Sequence, residues 1–319
     1  MPGQRTTATD VAKAAGVSRA TVSFVLNATP GQSISDAVRA RVLAEASRLG
    51  YMPHPQARAL ASGQSNIVLM VLPEWPIEYV TRQLLDEATV ELDEAGYSLV
   101  TMDPRRSRRA TPLWESLRPD VVMSIDPLAP KVLESIERSG AVVIKHGPEM
   151  LPMYRVGPDL QVGHLLNLGH TSIAYAHTPI AAMRDLDQER MSRIRRGAEA
   201  AGAAFRSAEV SATNAQEVVR TWSRAGVTAV AAFNDDTAAW TIGGALRSGL
   251  RVPDDLAVLG HDDSPIAAMF VPAISTIHLD LAGLGRALAQ QALAVARGGA
   301  QPDIGDPFSH ARLIRRESA

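Results

Sequence analysis

Residues 7–27, TATDVAKAAGVSRATVSFVLN, contain two short helical patterns separated by Gly16. Thr9 is expected to cap the first helix by accepting a backbone N–H. Ser18 stands where it can cap a second helix over residues 19–26. Two helices joined by so tight a turn are typical of a helix-turn-helix unit.

The second helix presents two chemically different faces. Its inward face carries the apolar residues at i, i+3 and i+4 spacing: Val22, Val25 and Leu26. Its outward face carries Arg19, Ala20, Ser23 and Phe24. A large apolar side chain such as Phe24 on an outer face needs a partner, and a thymine methyl group is one. The spacing alone leaves a generic small helical domain equally open.

A third helix follows in DAVRARVLAEASRLG, residues 36–50, with Ser35 as the expected cap and Gly50 as its end. Four apolar side chains of this stretch are expected to complete a small core: Val38, Val42, Leu43 and Leu49. The sequence therefore predicts a head of three short helices.

Charge is distributed unevenly along the 319 residues. Residues 1–64 hold seven Lys and Arg against three acids, whereas the remainder holds 25 bases against 31 acids. The overall charge of −2 hides a head of +4 on a body of −6. A basic head on an acidic body indicates a polyanion-binding module attached to a part with another task.

Composition and termini exclude several classes of protein. The chain has no cysteine, so disulfides, thiolate metal sites and cysteine nucleophiles are excluded. The start MPGQRTTATD lacks the apolar region of a secretory signal, and no apolar run approaches the roughly 20 residues of a membrane span. We expect a cytoplasmic protein with no membrane contact.

From Asn66 onward, short apolar runs alternate with amphipathic segments. Strands are predicted at 66–73, 97–103, 120–125 and 141–146, with helices near 78–95, 110–117 and 130–139. A second series has strands near 173–177, 228–233, 256–261 and 275–278, and helices near 158–168, 188–201, 214–225, 235–248 and 280–297. This alternation predicts an α/β body of two lobes on parallel sheets, with ligands at the carboxyl ends of the strands.

The body carries no recognisable catalytic motif. A G-x-G-x-x-G after the first strand, a Walker loop and a nucleophile elbow are all absent. His170 and His177 are isolated histidines, and the HDD of residues 261–263 lacks further ligands at metal-binding spacing. We expect a binding protein without enzymatic activity, metal or cofactor.

The head and the segment after it resemble the lactose-repressor (LacI) family of transcriptional regulators. The family pattern D-V-A-x-x-A-G-V-S-x-x-T-V-S-x-V-L-N is matched at nearly every fixed position from Asp10 to Asn27. The resemblance implies that Arg19, Ala20 and Phe24 read DNA bases. It also implies backbone phosphate contacts from Thr9, Ser18, Thr21, Ser23, Asn27 and Tyr51. Phe24 departs from the polar residue common at its position.

The stretch MPHPQARALASGQS, residues 52–65, has two prolines followed by a helix-forming run. Composition alone also allows a plain linker. The resemblance implies a hinge helix that forms on operator DNA and inserts a leucine into the minor groove. Leu60 matches that leucine, and Ala57 lies beside it.

The resemblance continues through the body, in HLLNLGHTSIAY (164–175) and over residues 231–280. It implies that a small-molecule effector, most readily a sugar, binds between the lobes. Asn234, Asp235 and Asp262 follow strands and match effector-binding positions. From the residues alone, Asn234 and Asp235 are helix caps, and one can cap while the other faces the cleft. Trp75 stands after the first strand, where it stacks on a ring or packs between the lobes.

Two departures affect the pocket. Counting back from Gly197, the family's effector-clamping arginine falls on Ser192, with Arg190 or Arg193 as substitutes if the helix turns differently. Met153 replaces an acid usual near the start of the second lobe. Because these polar groups are missing from the pocket, an alternative interpretation is a DNA-binding regulator whose cleft is vestigial or responds to a protein instead of a small molecule.

The implied protein is a homodimeric repressor that binds a pseudo-palindromic operator. Its expected domains are a DNA-binding head (1–52), a hinge (53–65) and a two-lobed effector domain (66–319). The lobes are expected to meet near residue 155, with the chain crossing back near 280 and after 300. A solute-binding module without DNA function is a rival from another class, and the basic head counts against it.

Overall fold

The computed structural model describes residues 6–26, 31–51, 64–72, 78–103, 111–125, 128–144, 155–306 and 308–319. This part of the chain comprises a helical head and two lobes, each built on a parallel sheet. The predicted fold class, a helix-turn-helix head on a two-lobed α/β body, is confirmed. No helix in these ranges is long and apolar enough to cross a membrane.

The head contains α1 (Ala8–Ala15), α2 (Arg19–Leu26) and α3 (Asp36–Arg48). The prediction that Thr9 caps α1 was wrong, because Thr7 is the cap and Thr9 lies inside the helix. The Thr7 side chain accepts from the Asp10 N–H, and the Asp10 carboxylate accepts from the Thr7 N–H at 2.8 Å. This reciprocal capping box starts the helix earlier than the sequence pattern indicated.

The turn between α1 and α2 has the predicted chemistry. Gly16 adopts a φ of +64°, a left-handed conformation that glycine accepts without steric cost. Ser18 Oγ accepts from the Thr21 N–H at 3.0 Å and so caps α2, as expected. Ser35 caps α3 by accepting from the Val38 N–H. The entry angle of α2 is therefore fixed by local hydrogen bonds as well as by packing.

The core of the head is smaller than predicted. Its fully buried large side chains come from all three helices: Val11, Val22, Val25 and Val42. Leu26, Val38 and Leu49 pack against this core at its edge. Leu43 was expected in the core but is 48% exposed. It lies about 100° around the helix from Val42, whereas the buried stripe continues to Ala46.

The first lobe is built on a four-stranded parallel sheet in the order β2-β1-β3-β4. Its elements are β1 (Ile67–Val71), α4 (Tyr79–Glu94), β2 (Ser98–Met102), α5 (Leu113–Leu117), β3 (Val121–Ser124), α6 (Pro130–Arg138) and β4 (Val142–Val143). The central strands are continuous apolar runs because helices cover both faces. The carboxyl end of β1 leads toward α4, which begins at the cleft.

The second lobe repeats this plan in the order β6-β5-β7-β8. Its elements are α7 (Val156–Asn167), β5 (Ser172–His177), α8 (Arg184–Ala200), β6 (Ala204–Glu209), α9 (Ala215–Arg224), β7 (Ala229–Ala232), α10 (Asp235–Arg247), β8 (Ala257–Leu259) and α11 (Pro265–Met269). The edge strand β6 was not predicted, because its partly exposed sequence AFRSAE lacks an apolar run. Helix α8 begins at Arg184, earlier than the predicted 188.

The chain then returns to the first lobe. Strand β9 (Thr276–His278) was expected in the second parallel sheet; Ser275 before it forms one parallel bridge to Leu259 of β8, but β9 itself pairs antiparallel with β10 (Arg312–Ile314). Between them, α12 (Leu281–Ala296) packs against α4 and contributes Leu284 and Leu288 to the first-lobe core. A Cβ on Gly285 would lie 2.3 Å from the Leu84 carbonyl oxygen, so only glycine permits this close crossing.

Candidate functional site

The outward face of α2 presents the residues predicted to read bases. Arg19 and Ala20 are exposed, and so is Ser23, which is predicted to contact phosphate. Phe24 is half-buried and lies outside the apolar core of the head. An exposed cation and an apolar side chain thus share one face of a helix that is capped and packed on its opposite side.

The residues predicted to contact phosphate differ in their exposure and in their hydrogen-bond partners. Ser18 Oγ and Thr21 Oγ1 lie 2.9 Å apart at the start of α2, where hydroxyl and backbone donors suit a phosphate. Thr9 is exposed in α1, and Tyr51 packs against the head's core after α3. Several predicted residues lie outside the described ranges: Asn27, Ala57, Leu60, Trp75 and Met153.

The second candidate site is the cleft between the lobes. The carboxyl ends of two strands of the second lobe, β7 and β8, line this cleft. Asn234 follows β7, and Asp262 follows β8. Buried Gln161 of α7 donates from Nε2 to the Ala232 and Gly260 carbonyl oxygens, both at 2.9 Å. This amide links the two strand ends that carry the cleft residues, a role that was not predicted from the sequence.

Asn234 performs both roles that the sequence analysis divided between two residues. Its Oδ1 accepts from the Thr237 N–H at 2.9 Å and caps α10. Its Nδ2 donates across the cleft to Glu78 Oε2 at 3.2 Å, where α4 of the first lobe begins. Glu78 was not predicted, although an acid at the start of the helix after β1 is a recognisable signal.

Asp235 is committed to contacts within its own lobe. Its Oδ1 accepts from Thr276 Oγ1 at 2.5 Å, and its Oδ2 accepts from the Ser264 N–H at 2.6 Å. The residue is only 1% exposed. Asp235 therefore ties α10 to the segments after β8 and before β9, at the edge of the cleft.

Arg190 reaches the cleft from α8, and Ser192 and Arg193 do not line it. The Arg190 guanidinium lies over the Phe233 ring, 4.7 Å from its centroid, and donates to the Phe233 carbonyl oxygen at 2.6 Å. Its Nη2 lies 3.5 Å from Asp262 Oδ1. Arg193 instead pairs with Asp159 at 2.6 Å on the outside of the lobe. Arg190 points inward because it lies on the buried stripe of α8, with Asp187, Ile194 and Ala198.

Asp262 joins this arginine to a buried histidine. Its backbone has a φ of +98°, in the left-handed region that non-glycine residues rarely adopt. Its Oδ1 contacts both His261 Nδ1 and Arg190 Nη2. Burial opposes ionisation, but His261 and Arg190 together hold the pKa of Asp262 below its usual value. Burial in turn lowers the pKa of His261.

Two connected cavities occupy the cleft. The apolar cavity is partly open to solvent, and its lining includes Val80, Leu84, Ile125, Met183, Leu186 and Phe233. The acidic cavity has Asn234, Asp235, Asp236 and Ser264 in its lining. Glu78, Val80 and Asp262 line both cavities. A concave site with an apolar lining and a few polar groups is typical of small-molecule binding.

Asp235 makes the stability of the protein depend on pH. Burial raises the pKa of Asp235 to about 7, against the lowering effect of its hydrogen bonds from Thr276 and Ser264. The unfolded chain releases this proton near pH 4, so the free energy of unfolding should fall as the pH rises from about 4 to 7. In urea melts at pH 4.5, 6 and 8, Asp235→Asn should flatten this decline. The exposed Asp185→Asn control should retain it; equal slopes in both variants would refute the assignment.

Comparisons with known proteins agree with this geometry. The profile of the lacI family of bacterial regulatory proteins matches residues 7–54, and that of a periplasmic binding protein-like domain matches residues 162–319. The regulator reg1 of Streptomyces lividans is 30% identical over 97% of this chain and 96% of its own length. The chain belongs to the lacI family. It is a DNA-binding transcriptional regulator, as predicted.

Two further proteins extend the comparison. The HTH-type transcriptional regulator DegA of Bacillus subtilis is 29% identical over 88% of each chain. A crystal structure of the lac repressor dimer bound to operator and the anti-inducer ONPF superposes with a TM-score of 0.78 at 24% identity, over 99% of each chain. That likeness supports the fold of this lacI-family regulator from head to C-terminus. The relatives are regulators rather than enzymes.

Proposed function

We propose that this regulator binds a pseudo-palindromic operator as a homodimer in the cytoplasm and represses transcription there. The observation that carries the proposal is α2, whose exposed Arg19 and Ala20 share a face with Phe24 in a head of charge +4. Two heads in a dimer address two half-sites in adjacent major grooves. The lac repressor dimer bound to operator, which has the same fold, is consistent with this arrangement.

We further propose that a small-molecule effector in the cleft changes operator affinity. Effector binding favours one arrangement of the lobes, and it shifts the equilibrium only by its different affinities for the two arrangements. In this proposal the segment 53–65 is the hinge between the head at 1–52 and the body at 66–319, and Ala57 and Leu60 are the residues proposed to contact the minor groove. Binding, and not catalysis, is the proposed mode of action.

Selection of bound sites from random DNA, with and without candidate effectors, tests both parts. We expect a two-fold symmetric site whose enrichment changes with one class of small molecule. Recovery of no preferred sequence by the full chain would overturn the operator proposal. If the protein selects a preferred sequence and no small molecule changes its enrichment, the result would favour the second candidate, a DNA-binding regulator without a small-molecule effector.

One contact supports that second candidate. Asn234 Nδ2 donates directly to Glu78 Oε2 across the cleft, so a contact between protein side chains joins the two lobes. The two cavities that adjoin this contact, one with an apolar and one with an acidic lining, favour the effector-responsive regulator instead. Calorimetric titration with sugars, nucleosides and amines separates the two candidates, because one binding ligand that alters operator affinity eliminates the ligand-independent one.

The head offers a contrast between base reading and phosphate binding. Arg19→Ala should cost about 1–3 kcal/mol and relax the preference at one position of each half-site, because a bidentate contact to guanine is lost. Thr21→Ala should weaken all sequences alike. Binding is measured on the selected operator and on single-base variants. Arg48→Ala, which removes an exposed arginine of α3, is the charge-matched control; a uniform loss in Arg19→Ala would contradict base reading.

A further inference from the structure

We infer that the cleft is built for an amphipathic organic cation: a small amine with an apolar body and a neutral oxygen acceptor close to its nitrogen. The inference rests on the proposed effector function and deepens it by naming the ligand class. Three observations carry it: the charge of the cleft, the division between its cavities, and an unpaired donor on Arg190.

The first observation is an excess of negative charge. Glu78, Asp236 and Asp262 line the acidic cavity, and Asp235, whose carboxyl group is hydrogen-bonded to Thr276 and Ser264, lies at its edge. Arg190 is the cation among the described residues lining the two cavities, and its charge is already shared with Asp262. Neither Glu78 nor Asp236 forms an ion pair with another described residue. A bound ammonium group between Glu78 and Asp262 would supply the missing positive charge.

The titration of these acids agrees with that requirement. Burial raises the pKa of Glu78, and the charge of Asp262 raises it further. Burial and then the same charge raise the pKa of Asp236. Arg190 and the Asn234 amide act in the opposite direction on Glu78. The carboxylates thus disfavour one another's ionisation in the free protein, and a cation between them would reverse that effect.

The second observation is the apolar cavity on the other side of Glu78 and Asp262. Val80, Leu84 and Ile125 of the first lobe surround it, with Met183, Leu186 and Phe233 of the second lobe. A free sugar placed there would bury hydroxyl groups against these side chains without hydrogen-bond partners, which costs free energy. An alkyl or aryl group would instead gain by leaving water. The ligand's two ends must therefore differ in polarity.

The third observation is independent of the acids. Arg190 lines the apolar cavity, its side chain is 7% exposed, and its Nε has no hydrogen-bond partner in the described part of the chain. Its Nη1 is held by the Phe233 carbonyl oxygen. A buried donor of this kind calls for an acceptor. A neutral oxygen satisfies it, whereas a carboxylate would meet Asp262 at close range.

Phenylalaninol is a probe that combines these features, with an ammonium group, an adjacent hydroxyl and a benzyl group. We expect calorimetry on the full-length dimer to detect phenylalaninol binding. Four analogues should bind at least about 10-fold more weakly, because each lacks one feature or adds a negative charge. N-acetylphenylalaninol lacks the charge, phenethylamine lacks the oxygen, glucosamine lacks the apolar body, and phenylalanine adds a carboxylate. Equal or tighter binding of glucose or galactose would overturn the inference.

Variants locate the site. Glu78→Gln should lower phenylalaninol affinity about 10-fold or more, since a charge-assisted hydrogen bond is lost, and should leave the weak binding of N-acetylphenylalaninol unchanged. Glu94→Gln, at the far exposed end of α4, is the matched control and should bind as the unmodified protein does. Loss of affinity for both ligands in Glu78→Gln would indicate a structural role and refute the charge argument.

The same experiments distinguish this inference from the proposed function. Operator binding is measured in parallel with each ligand. A protein that binds its operator and responds to a sugar but not to phenylalaninol retains its proposed function and loses the cationic-ligand assignment. A protein that binds phenylalaninol without any change in operator affinity keeps the site but loses the regulatory role of the cleft.

Discussion

Gly285→Ala should lower the free energy of unfolding by about 3 kcal/mol or more, since α12 and α4 cross at this glycine. The added Cβ would lie 2.3 Å from the Leu84 carbonyl oxygen and 3.1 Å from the Leu84 Cα. Both atoms belong to the backbone, so no side-chain rotation relieves the overlap. The helices must separate, which opens the packing of Leu284 and Leu288.

Urea unfolding of the unmodified protein and the variant measures this loss. Gly163→Ala is the matched control, because Gly163 is also inside a helix but its Cβ would meet nothing within 4 Å. That control should be neutral or more stable by about 0.5–1 kcal/mol. Unfolding of both variants at the same urea concentration would contradict the proposal that the close crossing of α12 and α4 requires glycine at position 285.

Arg190→Met should lower the free energy of unfolding by about 3 kcal/mol and abolish the response to effector. The methionine fills similar space but leaves the Phe233 carbonyl oxygen without its donor and Asp262 without its cation. Removing one partner of a buried ion pair is more costly than removing an exposed one. Operator affinity without effector should change little, because the head is remote from α8 in sequence and has its own core.

Arg193→Met supplies the comparison from the same helix. Its pair with Asp159 is partly exposed, with 25% and 50% of the two side chains accessible, so its loss should cost less than about 1 kcal/mol. Asp262→Asn combined with Arg190→Met should recover part of the stability, because the uncompensated carboxylate is gone. Equal destabilisation by Arg190→Met and Arg193→Met would contradict the buried role of Arg190.

The architecture could be predicted from the sequence because its signals are local. The capped turn at Gly16 and the central strands can each be recognised from the identity and spacing of a few neighbouring residues. Strand β6 was missed because an edge strand with exposed Arg206 and Ser207 carries no apolar run. The pairing of β9 with β10 was also missed, since it joins segments more than 30 residues apart.

The cleft was predicted less completely because its chemistry depends on tertiary contacts. Asn234 and Asp262 follow strands and could be found by position. Arg190 points inward because it shares the buried stripe of α8 with Ile194 and Ala198, and a charged residue in such a stripe gives no apolar signal in the sequence. Nothing local shows that Asp235 is bound within its own lobe or that Gln161 braces β7 and β8. Those roles require partners distant in sequence, such as Thr276 and Gly260.

The position of α12 has a consequence for biosynthesis. The first lobe's strands leave the ribosome before those of the second lobe, yet residues 281–296 complete the first-lobe core. Leu84 and its apolar neighbours must therefore remain uncovered while some 190 further residues are translated. The second lobe reaches its sheet sooner, although Ser318 still has to bond to the Val258 carbonyl oxygen at 2.6 Å. The first lobe therefore waits longest between the synthesis of its strands and the arrival of the helix that covers them, and its uncovered apolar surface favours misfolding during that interval.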